Sequence, residues 1–235
     1  MIWFFDWTIV LMIPSLILAL WAQSKVTKNF AKYSQVRSAK GMTGAAVAAQ
    51  ILYDNGIRDV KVERLASNAG DHYDPKNRKI GLSAHVYDSP SVTALAVAAH
   101  EAAHAIQHHE AYAPLKMRTG FFPVVRLSSG AAMPLIMVGL ILGGAGFLEP
   151  SLANIILNIG IAFFTVTVLF HLITLPVEFN ASSRAMAILE GDRYLAPNEA
   201  DGAKKVLSAA AMTYVAAATA AILQLIRLIL ISRRN

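Results

Sequence analysis

Three stretches of the chain are long enough and apolar enough to cross a lipid bilayer as helices. Such a helix needs about 20 consecutive apolar residues. Residues 2–22, 127–147 and 152–175 meet this requirement, and Asp6 is the only Asp, Glu, Lys or Arg in them. Of the 235 residues, 55% are hydrophobic, and the mean hydropathy is +0.47. Both values exceed those of an ordinary soluble domain, so we predict a mainly α membrane protein.

The distribution of charge predicts how the chain is oriented. The formal net charge of +6 is compatible with a nucleic-acid binder, but the basic residues cluster beside the apolar stretches instead. Those after the first stretch are Lys25, Lys28, Lys32, Arg37 and Lys40. Segments on the cytoplasmic side of a membrane-spanning helix are enriched in Lys and Arg. We therefore expect this flank in the cytoplasm and the N-terminus outside. Residues 2–22 lack a basic start and an A-x-A-like cleavage site, which indicates a retained anchor.

A fourth apolar stretch, residues 206–231, has two interpretations. It is rich in Ala at first and in Leu and Ile later, and it contains Arg227. If it crosses the membrane, Arg233 and Arg234 lie outside, against the positive-inside rule. Alternatively, it is a helix packed on the folded domain at the membrane interface. Hydropathy does not choose, so three or four spans are expected.

The segment His100-Glu101-Ala102-Ala103-His104 has the HExxH pattern. Two histidines four residues apart share one face of a helix and can bind one Zn²⁺ from the same side. The glutamate between them can act as the general base toward an attacking water. The flanking residues are mostly Ala, Leu, Val and Ile, so the helix is expected to be buried, where polar groups without partners are costly. This pattern predicts a zinc-dependent peptide hydrolase.

Several local signals place this motif in a small folded region. Thr43 is expected to cap a helix over residues 44–55, and residues 60–65 read as a strand. Residues 71–74 and 79–83 are candidate strands joined by a turn. Segment 79–83 is either an exposed sheet edge that holds an extended peptide or a plain hairpin strand. Pro90 is expected in the first turn of the motif helix, with Ser89 or Ser91 as its cap.

Catalytic zinc usually has three protein ligands, so a third is required. Gln107 and Glu110 occupy the places of the Gly and His in the longer metzincin motif, which excludes that branch. His108 is expected to be a second-layer or surface residue. Glu178, near Pro176 at the end of the third stretch, is a candidate ligand. Its alternative interpretation is a solvated glutamate favoured by the dipole of a helix that begins at Pro176.

The segments HEAAHAIQH and PVEFNASSRA, with an apolar pair of stretches between them, resemble the YugP-type membrane zinc metalloproteases over nearly the whole chain. They resemble more distantly the HtpX-type proteases, whose second motif is ExxAD; Ser182 stands where that aspartate would be. The resemblance implies a gluzincin arrangement with His100, His104 and Glu178 as ligands of one Zn²⁺ per chain and Glu101 as the base. Asn180, Ser182 and Asp88 are open candidates for orienting the first histidine.

The predicted architecture combines transmembrane helices with a small α+β zincin-like catalytic domain that carries the metal-binding HExxH helix. The predicted regions are a transmembrane anchor (1–22), a catalytic domain (23–122), a transmembrane hairpin (123–176), and a second motif helix with a C-terminal helix (177–235). We expect a multi-pass protein of a prokaryotic plasma membrane with its site at the cytoplasmic face.

The expected activity is that of a membrane-embedded endopeptidase, and its partners are the lipid bilayer and a peptide or membrane-protein substrate, with no nucleic acid. Tyr214, Arg184 and His171 are open candidates for stabilising the negative oxygen that develops during hydrolysis. The alternative is a non-catalytic scaffold or pseudoprotease with a structural zinc. A structural site does not need Glu101, which argues against that alternative. A transporter would need charged or broken helices at the mid-membrane, and the stretches show few.

Overall fold

The computed structural model describes residues 7–66 and 70–233. Over these residues the chain is mainly helical with one small three-stranded sheet, as predicted. After a 3-10 helix at Trp7–Met12, the elements are α1 (Ile13–Tyr33), α2 (Gly44–Asp54), β1 (Lys61–Arg64), β2 (His72–Asp74), β3 (Lys79–Leu82), α3 (Ala84–Tyr87), α4 (Val92–His109), α5 (Ala113–Gly144), α6 (Pro150–Gly191) and α7 (Pro197–Ser232).

Four of these helices are long and apolar enough to cross a membrane: α1 with its 3-10 extension, α5, α6 and α7. The first corresponds to the predicted anchor, of which residues 1–6, Asp6 among them, lie outside the described residues. The fourth includes the stretch 206–231 whose role the sequence leaves open. With 36 residues, α7 is about 54 Å long at 1.5 Å per residue, which exceeds the thickness of a bilayer core.

One compact unit consists of the described residues 7–21, 117–175 and 214–233. Within it, α5 and α6 approach closely at glycines. A methyl group on Gly139 would lie 2.9 Å from the backbone nitrogen of Leu157, and one on Gly160 would lie 2.9 Å from that of Ile136. Small residues allow membrane helices to pack backbone against backbone. The surrounding core also includes Leu228 of α7.

The other compact unit consists of the described residues 22–66, 70–116 and 176–213. Its sheet has the order β1-β3-β2, with β3 parallel to β1 and antiparallel to β2. The strands predicted at residues 60–65, 71–74 and 79–83 are therefore confirmed. The alternative that segment 79–83 is an exposed sheet edge is wrong, because hydrogen bonds to β1 and β2 already occupy both sides of β3.

Helix α4, which carries the HExxH motif, is the centre of this second unit. Fourteen of its 18 residues are buried, and it packs against α2, whose predicted Thr43 cap accepts a hydrogen bond from the Ala46 amide. Ser91 is extended (φ −79°, ψ 155°), and its hydroxyl accepts a hydrogen bond from the Ala94 amide at 3.2 Å. Pro90 therefore precedes the cap and does not lie in the first turn. Its carbonyl instead accepts a hydrogen bond from the Ser38 amide.

The prediction that a new helix begins at Pro176 is wrong. Helix α6 runs without interruption from Pro150 to Gly191, with Pro176 inside it. A proline removes one backbone hydrogen bond, but a helix that is stabilised by packing on either side of the proline tolerates this loss. Glu178 consequently lies far from the start of its helix. The helix dipole therefore cannot account for a carboxylate at this position.

Candidate metal centre

Two histidines project from α4 at adjacent turns. The ring centroids of His100 and His104 are 4.7 Å apart, and the ring planes are nearly perpendicular. Their side chains are 14% and 11% exposed. The spacing of four residues produces this arrangement, because residues i and i+4 lie one above the other on a helix. The two imidazoles thus present nitrogen atoms to the same small space.

Glu178 of α6 completes a cluster with these histidines. Its Oε2 lies 3.3 Å from Nε2 of His100 and 3.5 Å from Nε2 of His104, and its side chain is 2% exposed. Candidate ligand atoms of the three residues all lie within 4.8 Å of one another. The structure therefore brings together three donors that could hold a metal ion, although 78 positions separate His100 from Glu178 in the chain.

Two of the three distances between ligand atoms in this cluster fit Zn²⁺. Zinc binds histidine nitrogen and carboxylate oxygen at 2.0–2.2 Å with tetrahedral geometry, which places neighbouring ligand atoms about 3.3–3.5 Å apart. The two distances from Oε2 of Glu178 to the histidine nitrogens fall within that range. Two imidazoles and one carboxylate leave a fourth position for water or substrate, as in catalytic zinc sites.

Glu101 lies on α4 between the two histidines and is 8% exposed. The negative charge of Glu101 acts on His104. Burial lowers the pKa of His104, but its hydrogen bond to the Glu178 carboxylate and the charges of Glu101 and Glu178 outweigh burial and raise it. Glu101 is not a member of the three-donor cluster. This position is compatible with a base beside a metal and not with a further ligand.

Each histidine has a second contact through Nδ1. Ser182 Oγ lies 3.3 Å from Nδ1 of His100, so Ser182 contacts the first histidine. Gln107 Oε1 lies 2.9 Å from Nδ1 of His104. Of the other residues considered for the first histidine, Asp88 pairs with Arg64 at 2.7 Å. Metal-bound histidines generally have such partners, which orient the ring.

The other polar residues identified in the sequence are not members of the cluster formed by His100, His104 and Glu178. His108 Nδ1 is 2.7 Å from the Tyr73 hydroxyl, and His109 is exposed. Arg184 pairs with Glu110 at 2.7 Å. His171 and Tyr214 belong to the other compact unit.

Gln107 is the residue of the site whose role the sequence analysis missed. It is completely buried on the HExxH helix. The signal was available, because Gln107 follows His104 by three residues and therefore shares its face. A buried glutamine also requires hydrogen-bond partners.

The mainly helical fold and the cluster of two histidines and a glutamate indicate a zinc metallopeptidase of the membrane. Comparison with known proteins indicates the same class. Residues 8–233 match the family described as "Putative neutral zinc metallopeptidase", and the chain belongs to this family. It is 46% identical over 223 residues to "Putative membrane protease YugP" of Bacillus subtilis (strain 168), and the match covers 95% of each chain. No solved structure matches the chain.

Proposed function

We propose that the protein is a membrane-embedded, zinc-dependent endopeptidase. The observation that carries this proposal is the buried cluster of two histidines and a glutamate, with ligand-to-ligand distances suited to zinc. Membership of the metallopeptidase family supports it. Glu101 beside this cluster supports a hydrolytic role, because a purely structural metal site does not need a buried base.

In this proposal Nε2 of His100, Nε2 of His104 and Oε2 of Glu178 hold one Zn²⁺ per chain. Bound zinc supplies a Lewis acid that lowers the pKa of water to about 7 and polarises a carbonyl. Glu101 takes a proton from the water as the water oxygen bonds to the scissile carbonyl carbon. Glu101 then delivers that proton to the amide nitrogen as the C–N bond breaks, so it ends the cycle unprotonated.

The orientation of the chain in the membrane follows from its charges. The basic residues that follow the first apolar stretch lie in the C-terminal part of α1 and just after it, and they favour the cytoplasm for that flank. The residues of the proposed zinc site belong to the same compact unit as that flank. We therefore infer that hydrolysis occurs at the cytoplasmic face of a prokaryotic plasma membrane, on a peptide or membrane-protein substrate. In this arrangement the catalytic domain, the anchor and the hairpin keep the boundaries predicted from the sequence.

The contacts of α7 favour a fourth span. Its residues 214–233 belong to the same compact unit as the apolar parts of α5 and α6. The hydroxyl of Ser232 donates a hydrogen bond to Asn158, near the start of α6, at 3.0 Å. The end of α7 therefore lies at the end of the unit where α6 begins. This arrangement supports a C-terminus outside the cell, despite Arg233.

Hydrolysis of casein or of a peptide library by the purified full chain tests the proposed activity. The wild type should cleave, a chelator should abolish cleavage, and added zinc should restore it. Glu101→Gln should retain zinc and lose on the order of 10²-fold to 10⁴-fold of the rate, the range attributed to general-base catalysis. Glu63→Gln, at an exposed glutamate of the same unit, is the matched control. Zinc binding without chelator-sensitive cleavage of any substrate would favour a structural zinc site instead.

A further inference from the structure

A chain of hydrogen bonds leads from His104 to a surface ion pair. Gln107 Oε1 is 2.9 Å from Nδ1 of His104, and Gln107 Nε2 donates to Asn180 Oδ1 at 2.9 Å. The same Oδ1 accepts a hydrogen bond from Nε of Arg184 at 2.8 Å. Arg184 also pairs with Glu110 at 2.7 Å. All five residues belong to the same compact unit as the metal cluster.

The direction of each bond in this chain is determined by its outer end. An arginine guanidinium can only donate hydrogen bonds, so the amide atom of Asn180 that faces Arg184 must be the oxygen. That oxygen is also the atom facing Gln107, so Gln107 must present its NH₂ group there. The same NH₂ group donates to the carbonyl of Val177 at 2.9 Å. The oxygen of the Gln107 amide is thereby left facing His104.

An amide oxygen can only accept, so His104 must donate through Nδ1–H. The lone pair of the neutral ring then lies on Nε2, which is the nitrogen 3.5 Å from Oε2 of Glu178. Ser182, the partner of His100, does not determine the tautomer of His100 in this way. Ser182 approaches Nδ1 of His100 with a hydroxyl, and a hydroxyl can donate or accept.

We propose that Gln107, held in one orientation by the Val177 carbonyl and by Arg184 through Asn180, fixes the tautomer of His104 so that Nε2 is its metal-binding atom. Gln107, Asn180 and Arg184 are positioning residues, which we call the tautomer relay. The inference rests on the proposed zinc site. It extends that proposal because it assigns a role to Arg184, which lies two residues beyond the second motif's Ser182.

The relay is tested by zinc affinity, measured by competition with a chelator on the purified full chain. Gln107→Leu removes all three bonds of this side chain, and loss of such an outer partner typically weakens metal binding by about 10-fold to 100-fold. Arg184→Met should weaken zinc binding by less than Gln107→Leu does, because the Val177 carbonyl still holds the NH₂ group of Gln107. An unchanged zinc affinity in Gln107→Leu would overturn the relay.

Two control variants separate the relay from general destabilisation. Glu110→Gln removes the charge of the ion pair but keeps the bond from Arg184 to Asn180, so zinc affinity should remain near that of the wild type. Ser91→Ala removes the cap of α4, at a typical stability cost of about 1 kcal/mol, without touching the relay. A loss of zinc affinity in Ser91→Ala as large as that in Gln107→Leu would contradict the proposed role.

A conservative variant tests the acceptor role of Gln107 itself. In Gln107→Glu both carboxylate oxygens accept hydrogen bonds, so His104 still donates from Nδ1. Gln107→Glu should therefore lose clearly less zinc affinity than Gln107→Leu. An equal loss in the two variants would show that an acceptor opposite Nδ1 does not orient His104, and the relay would be wrong.

Nitrogen NMR of selectively labelled histidine provides a readout that does not depend on the folding of Gln107→Glu. In the zinc-loaded wild type, His104 should carry its proton on Nδ1 and bind zinc through Nε2. Zinc bound through Nδ1 would overturn the relay. None of these measurements uses hydrolysis. An inactive protein with the expected tautomer and affinities would contradict the endopeptidase proposal alone, whereas an active protein whose zinc affinity is insensitive to Gln107→Leu would contradict the relay alone.

Discussion

Glu178 is a carboxylate buried to 2% exposure with two imidazole nitrogens near one oxygen. A buried charge is costly unless it is paired or binds a metal. The fit of the ligand distances to tetrahedral zinc favours the metal. The structure brings Glu178 to the histidines, while its role as a ligand stays a prediction that substitution can test.

We expect Glu178→Gln to reduce zinc affinity by on the order of 100-fold or more, because loss of a direct ligand should cost at least as much as loss of an outer partner. Metal analysis after dialysis against a weak chelator measures this. Glu199→Gln is the matched control, since Glu199 is also buried, at 7% exposure, and accepts hydrogen bonds from the Ala39 and Ala196 amides. Equal zinc content in both variants would remove Glu178 from the proposed site.

His108 should make stability depend on pH. Burial, followed by the charge of Arg78, lowers the pKa of His108 below its ordinary value, although Asp59 opposes this. The unfolded chain therefore binds more protons than the folded protein just below pH 6.5, so stability falls as the pH decreases through that value.

Thermal unfolding between pH 7.5 and pH 5.5 measures the effect of His108. The midpoint should fall less in His108→Asn than in the wild type. The same substitution at the exposed neighbour His109 is the control. Parallel curves for the wild type and His108→Asn would show that His108 does not contribute to the pH dependence.

How far the sequence predicts the site depends on what connects its residues. His100 and His104 lie on one helix, so their spacing alone predicts that they meet. Tertiary folding brings Glu178 to these histidines, and the burial of its side chain could not be predicted from the residues next to it in the sequence. The spacing of Gln107 from His104 could have indicated their contact, but its other partners, Asn180 and the Val177 carbonyl, come from a different helix and could not be predicted. Hydrogen bonds between distant segments leave no periodic signal in a sequence.

At the level of elements, the α5–α6 hairpin depends on glycines at its contact. Gly139→Ala places a methyl group 2.9 Å from the Leu157 backbone nitrogen. Such overpacking typically costs about 1–3 kcal/mol. We therefore expect a lower thermal unfolding midpoint in detergent for Gly139→Ala.

Gly130→Ala on the same helix is the matched control for this prediction. A methyl group at Gly130 meets nothing within 4 Å, and alanine favours a helix more than glycine does. The control midpoint should therefore equal or exceed that of the wild type. An equal decrease in both variants would mean that helix contact at Gly139 is not the cause.

The elements also show where local signals suffice. Thr43 and Ser91 cap α2 and α4 through their hydroxyls, because a capping bond involves only residues three apart. Pro176 misled the prediction, because a helix can continue through a proline when packing stabilises both flanks. The pairing of β3 on both sides likewise depends on strands distant in the chain, and no pattern within residues 79–83 reveals it.

The absence of cysteine from the whole chain allows the proposed membrane orientation to be tested with single reporters. An impermeant maleimide applied to intact cells should label Ser151→Cys, in the first turn of α6, and Arg233→Cys after α7. Lys76→Cys, in the turn between β2 and β3, should be labelled only after permeabilisation. Labelling of Lys76→Cys in intact cells would place the catalytic unit outside. Protection of Arg233→Cys would leave α7 on the cytoplasmic side.

The separation of 78 residues between His100 and Glu178 has a consequence for biosynthesis. At about 5–20 residues per second, the ribosome needs roughly 4–16 s to reach Glu178 after it has made His100. During that interval α5 and most of α6 must be translated. The cluster therefore lacks its carboxylate until α5 and most of α6 have been made, so a metal site that needs all three donors can form only after that point.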